Sequence, residues 1–250
     1  MRGQRLSQLT FRIDPHILQR FPDIKVAALA ARIDSPGQLT GLVSELTAQL
    51  PTVVERINGS EPITQLDDIA VWRQAYGAMS VKPSKFHSSI EALLRRVKKG
   101  DDISTGLPVV DLYNLISVIH GTPMGAYDLT KLTGGEMVLR LADPDGDRFD
   151  PLGGRAESFP LNADLVVHAM DRDILCWGFN SRDSAISCVD ESSQRIIFMS
   201  ESASQFTSDR PVAGLEALAN HLAELDIAVS PVALADAEQT TIDLWPLEND

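Results

Sequence analysis

The sequence predicts an α+β domain, an antiparallel or mixed sheet with flanking helices, and three observations carry that expectation. Across residues 38–120 apolar side chains recur at three- and four-residue steps, the period of helices buried along one face. After Gly134 the texture changes to short apolar runs separated by Asp, Pro and Gly, which reads as strands joined by tight turns. No internal repeat or long linker divides the 250 residues, and a hydrophobic content of 44% is ample for one core. The expected parts are a strand and helices over 1–65, a core over 66–212, and a helix with an acidic tail over 213–250.

The first element is the run Lys25 to Arg32, short and apolar after Pro22-Asp23, which suits a buried strand. A helical pattern follows from Gln38 to Ile57, with Pro51 placed to break it, and a third helix covers Leu66 to Ala78. The segment ending at Gly100 is the best-marked helix. Ser88 and Glu91 have capping-box spacing, Ile90, Leu93, Leu94 and Val97 form an apolar stripe, and Gly100 supplies the left-handed stop. Leu107 to His120 reads as a buried helix starting near Pro108 and ending at Gly121. Gly125 and Asp128 read as the flanks of a tight turn. Strands are expected at Met137–Leu141, Asp164–His168, Ile174–Trp177, Ala185–Cys188 and Arg195–Met199, then a helix over Gly214–Leu225 and a loosely ordered end.

Charge is divided unevenly. The chain carries 22 Lys+Arg against 35 Asp+Glu, a formal −13, which argues against indiscriminate coating of nucleic acid. Yet residues 73–100 hold seven basic residues, Arg73, Lys82, Lys85, Arg95, Arg96, Lys98 and Lys99, and one acid, Glu91. Residues 201–250 hold ten acids and a single base, Arg210. The basic window reads either as a solvated helix face or as the surface that meets an anion. No stretch approaches the ~18 uncharged apolar residues of a membrane span, and the N-terminus lacks a signal-peptide core, so a cytoplasmic protein is expected.

Standard catalytic signatures are absent: there is no Gly-rich dinucleotide or phosphate loop, no Gly-x-Ser-x-Gly elbow and no His-Glu-x-x-His. The five histidines lack ligand spacing and the two cysteines sit among apolar residues, so no metal, no cofactor and no disulfide are expected. Asp143-x-Asp145-x-Asp147 opens like a calcium loop, but Gly154 stands where the closing acid belongs, which leaves a polar turn. Asp111 and Asn114 share one face of an apolar helix, either as a satisfied polar pair or as the wall of a pocket.

Four segments in register carry a resemblance. Leu93-Leu-Arg-Arg96, Val110-Asp-Leu-Tyr-Asn114, Pro123-Met-Gly-Ala-Tyr-Asp-Leu129 and the strand Val138-Leu-Arg-Leu-Ala142 follow the order and spacing of the B3/B4 domain of the phenylalanyl-tRNA synthetase beta subunit. Freestanding proteins made of that domain are closer still, and the likeness runs from about Trp72 to Ser202. The resemblance implies a B3/B4-like core and trans-acting editing, the hydrolysis of a wrongly esterified amino acid from tRNA. It implies catalytic roles for Asn114 and Glu201, and a substrate pocket from Tyr113, Gly125, Ala126, Asp128, Gly178 and Asn180. Gly125 stands where the synthetase domain carries a histidine, so the acyl group removed is expected to differ from tyrosine. Asp111, Asp128 and Glu201 are the side chains able to serve as general base, with the terminal ribose hydroxyl as an alternative. The partner implied is the aminoacylated 3′ end of tRNA, met by the seven basic residues, with neither DNA nor membrane. The alternative is a non-catalytic module that binds tRNA or an amino-acid-like ligand on the same fold.

Overall fold

The computed structural model describes residues 9–59 and 62–245, and the expectations for the two chain ends beyond them lie outside the described residues. The chain enters on β1 (Thr10–Ile13), whose alternate residues Phe11 and Ile13 are buried. Asp14 then caps the short α1 (Pro15–Arg20) by accepting the His16 N–H. The apolar run forms β2 (Lys25–Arg32), with Val26 to Ala31 all buried because a strand covered on both faces needs no polar alternation. The long helical pattern divides into α2 (Thr40–Thr47) and α3 (Leu50–Asn58), with Pro51 inside the first turn of the second, where its missing N–H costs nothing. The third expected helix is α4 (Asp67–Ala78).

The best-marked helix is α5 (Ser89–Lys99). Ser88 Oγ accepts the Glu91 N–H at 3.3 Å, and Gly100 closes the helix at φ +74°. Next is α6 (Pro108–His120), stopped by Gly121 at φ +65°. The Pro123–Leu129 segment is not a turn. It is β3 (Met124–Asp128), because its backbone pairs residue for residue with a later strand. The remaining elements are β4 (Glu136–Leu141), β5 (Val166–Met170), β6 (Asp173–Trp177), β7 (Arg182–Asp183), β8 (Arg195–Ser202), α7 (Arg210–Ala223), β9 (Ala228–Val229), β10 (Ala233–Ala235) and β11 (Thr241–Asp243).

Two sheets result. One has the order β11-β1-β4-β5-β6-β7, antiparallel except for the parallel β1/β4 pair; the other has the antiparallel order β10-β2-β8-β3, with β9 added beside β2. Two further expectations are corrected. Residues 185–188 are a turn with one bridge between Tyr127 and Cys188, since they lack a partner strand. The segment that follows α7 is not a loose end: it places β9 and β10 beside β2 and β11 beside β1, two strands on the second sheet and one on the first. The helices α6 and α7 cover one face of the second sheet, and on its other face the buried Glu201 of β8 meets the buried His168 of the first sheet. Among the described residues no helix is long and apolar enough to cross a membrane.

Candidate active site

Strand periodicity explains why this site forms. Side chains alternate between the two faces of a strand, so residues two apart on one strand and opposite one another on neighbouring strands share a face. In the first sheet His168 lies opposite Cys176, and Cys176 opposite Asp183, which puts the three in one row across β5, β6 and β7. In the second sheet Met199 and Glu201 share a face of β8, with Gly125 of β3 directly opposite Met199. The two rows face each other: His168 Nε2 lies 3.1 Å from Glu201 Oε1, both residues deeply buried. The turn 178–181 closes the end of the space between them, held by Gly178 and Phe179 at φ +66° and +60°. The N-terminus of α5 forms the remaining wall, where Ser89 N–H donates to the Asn180 carbonyl at 2.9 Å.

The space so bounded is a partly open cavity of about 60 Å³, lined by residues that include Ser89, Gly125, Tyr127, Cys176, Asn180, Asp183, Met199 and Glu201. Three of these have a buried polar atom without a protein partner: Ser89 Oγ, Asn180 Nδ2 and Glu201 Oε2. A buried polar group left unpaired costs about 1–3 kcal/mol, so three at one cavity constitute a demand for a ligand or water. Each is also held in place. Asn180 Oδ1 accepts the Tyr76 hydroxyl at 3.2 Å, and Glu201 is fixed by His168. The Nδ1 of His168 has no partner, so the tautomer with its proton on Nε2, donated to Glu201, leaves no buried N–H unsatisfied.

Asp183 and Cys176 set the electrostatics. Removal from water holds the Asp183 carboxyl above the usual carboxylate range and Glu201 adds to this, opposed by the Cys176 hydrogen bond and by His168 and Arg182. Burial, then the neighbouring Asp183 and Glu201, pushes the Cys176 thiol well up. The thiol therefore stays protonated at neutral pH, which removes it as a nucleophile. Because the folded-state value of Asp183 is raised, its contribution to stability is full below the unfolded carboxyl range and falls as pH rises through the folded value. The Asp183→Asn variant should therefore melt a few degrees above the parent at pH 7, with the gap closing toward pH 3, as read from thermal unfolding curves at both pH values. An equal offset at both would show that the carboxyl's charge is not the cause.

The structure brings together Gly125, Asn180 and Glu201. It places the other expected residues elsewhere. Ala126 and Asp128 alternate with Gly125 and Tyr127 on β3, and the Asp128 carboxylate accepts hydrogen bonds from Thr130 and Ser193. Tyr113 packs edge-on against Phe198, which alternates with Met199 on β8, so α6 covers the sheet face opposite the cavity and Asn114 does not line it. Asp111 is occupied by Ser104 and Thr105. Gly178 shapes the turn without lining the cavity. Of the basic window, Arg73 and Arg95 turn inward onto the buried Glu91, both at 2.8 Å or less. Arg96 donates to the Asp102 carbonyl, Lys85 sits over the Phe86 ring, and Lys82 and Lys99 are exposed. Sequence reasoning missed His168, Asp183 and Ser89, which share no local spacing. Among the described residues no cluster of His, Cys, Asp and Glu has the geometry of a metal site.

A family model described as the B3/4 domain matches residues 71–221, more than half of the chain. A curated relative, the phenylalanine–tRNA ligase beta subunit of Vibrio cholerae serotype O1, is 38% identical over 82 residues, 32% of this chain and 10% of that protein. The chain thus aligns with only a small part of that relative's length. A crystal structure of an N-terminal fragment of the phenylalanyl-tRNA synthetase beta subunit from Pyrococcus horikoshii aligns over 92% of this chain and 53% of that one, with 9% identity and a TM-score of 0.48.

Proposed function

The chain belongs to the B3/4 domain family, and from that premise we propose that it is a trans-acting aminoacyl-tRNA deacylase, hydrolysing the ester of a mischarged tRNA in the cavity between its two sheets. One observation carries the reading: Glu201 Oε2, Asn180 Nδ2 and Ser89 Oγ, all buried and without partners, converge on that cavity. Ester hydrolysis needs an acceptor for a water proton and a donor for the oxyanion, and this set contains both. Glu201 Oε2 takes the proton as water attacks the ester carbonyl, while His168 keeps the carboxylate oriented through its other oxygen. Asn180 Nδ2 donates to the oxygen that gains charge. Its side chain is already fixed by Tyr76, so little reorganisation opposes that contact. Collapse of the tetrahedral intermediate passes the proton from Glu201 to the ribose oxygen, giving free amino acid and uncharged tRNA.

The positive end of the α5 dipole, beginning at Ser89, adds to the stabilisation of developing negative charge. In this reading the exposed Lys82, Lys85 and Lys99 of the basic window meet acceptor-stem phosphates. The test is incubation of the full chain with a panel of tRNAs, each carrying one wrong amino acid, with release of the amino acid followed over buffer hydrolysis. Accelerated release from at least one of them is expected, weakening as salt rises. Rates at the buffer level throughout would dismiss the deacylase, and ligand affinity without turnover would leave the binding module.

A further inference from the structure

The size and the acids of the cavity specify more than an ester. We infer that the acyl group it takes is that of a small amino acid with a free α-ammonium, seated between Asp183 and Gly125, and that aromatic acyl groups are excluded. This inference rests on the deacylase reading, since it concerns what the same cavity holds.

Three observations carry it. The space is about 60 Å³, well under the roughly 150 Å³ that accommodates a benzene ring in a protein interior. Its walls resist enlargement. Tyr127 and Met199 are core residues of paired strands, and Phe179 is wedged edge-on against both Phe21 and Trp72. A ring could enter only by displacing packed side chains, which close-packed interiors oppose.

Polarity gives the second argument. With Glu201 committed to water and Asn180 to the carbonyl oxygen, the acid left beside the substrate is Asp183, on the row opposite Gly125. A methyl group built on Gly125 would meet Asp183 Oδ1 at 3.8 Å and nothing else within 4 Å. The glycine therefore leaves an unfilled place in van der Waals reach of a carboxylate. An ammonium fits that place, because it brings the charge that the desolvated acid lacks.

The third is the remaining orphan. Ser89 Oγ is not used by the ester or by the ammonium, and it can meet one further polar atom on a short side chain. A hydroxyl one carbon from Cα is the best-matched group, which ranks seryl above alanyl and glycyl.

Binding rather than turnover provides the test, using non-hydrolysable 3′-aminoacylamido-3′-deoxyadenosines titrated calorimetrically into the full chain. The seryl compound should bind at least about tenfold more tightly than the tyrosyl and phenylalanyl compounds, and tighter by a similar factor than its own N-acetyl derivative. Gly125→Ala, which fills the ammonium's place without strain, should weaken seryl binding, and Asp183→Asn should remove the penalty of N-acetylation. Tyrosyl binding equal to or tighter than seryl, or an N-acetyl compound as tight as the free amine, would overturn this inference and leave the deacylase reading standing. Should no aminoacyl compound bind more tightly than 3′-amino-3′-deoxyadenosine, the cavity is not an acyl site and both fall together.

Discussion

Glu201→Gln should lower the single-turnover rate of ester release by about 10²–10⁴-fold, the range set by loss of a general base, while the protein stays folded. The substitution isolates the proton transfer. The glutamine carbonyl can still accept the His168 Nε2–H that the Glu201 Oε1 accepts at 3.1 Å, so the cross-sheet contact between β5 and β8 survives. What changes is the second atom, the buried Oε2 without a partner, which becomes an amide N–H₂ unable to take a proton from water. Affinity for a non-hydrolysable aminoacyl compound should change far less than the rate, because the ammonium and the carbonyl are held by Asp183 and Asn180. A structural role for Glu201 would instead lower melting temperature and affinity together. An unchanged rate would move the base to Asp183, the other carboxyl of the cavity, or to the terminal ribose hydroxyl, since Asp111 and Asp128 are already tied to Ser104, Thr105, Thr130 and Ser193.

The elements legible in the sequence are those whose signals are local. β2 coincides with its apolar run, α5 with its Ser88 cap and Gly100 stop, and α6 with the Pro108 start and Gly121 stop, because caps and helical stripes depend on neighbours within a turn. The misread segments depend on distant partners. Gly125 and Asp128 look like punctuation until β8 pairs with them, and the Ala/Pro/Asp-rich end becomes β10 and β11 only because β2 and β1 offer free edges. The site divides the same way. Gly125, Asn180 and Glu201 could be named as candidates because the first lies in one of the four resembling segments and the other two in the wider span 72–202. His168 and Asp183 could not, since 15 residues, a hairpin and a turn separate them and only sheet register sets them in one row. The readable hint was the alternation on β8, where Met199 and Glu201 flank Ser200: an acid spaced two from a core residue in a strand buried on both faces must point inward and find a partner. The charge pattern was the more misleading signal. A basic window reads as a surface, but Arg73 and Arg95 answer a buried glutamate eighteen and four residues away.

Gly121→Ala should destabilise the protein by about 3–5 kcal/mol, the range for breaking a buried ion pair, although it adds only one methyl group. Two costs coincide there. Gly121 ends α6 at φ +65°, a conformation that costs a residue with a Cβ roughly 1–2 kcal/mol. Its absent side chain is also the space in which Asp68 sits: a Cβ would press on the Asp68 carboxylate and lie 2.9 Å from Arg56 Nη1. That carboxylate is buried, and it accepts from Arg56 at 3.0 Å and from Arg210 as well. Arg56 in turn donates to the Val118 carbonyl at 2.6 Å and Arg210 to that of Gly121 at 3.4 Å, which closes the C-terminus of α6. One carboxylate and two guanidiniums thereby fasten α3, α4 and the start of α7 to the end of α6, the helix that backs the second sheet. Urea unfolding should show the lowered midpoint, and Gly121→Asn separates the two costs. Asparagine tolerates the left-handed backbone but carries the same Cβ. A loss as large as that of alanine assigns the effect to the crowded ion pair, whereas near-parent stability would assign it to backbone strain alone and show that Asp68 can move aside.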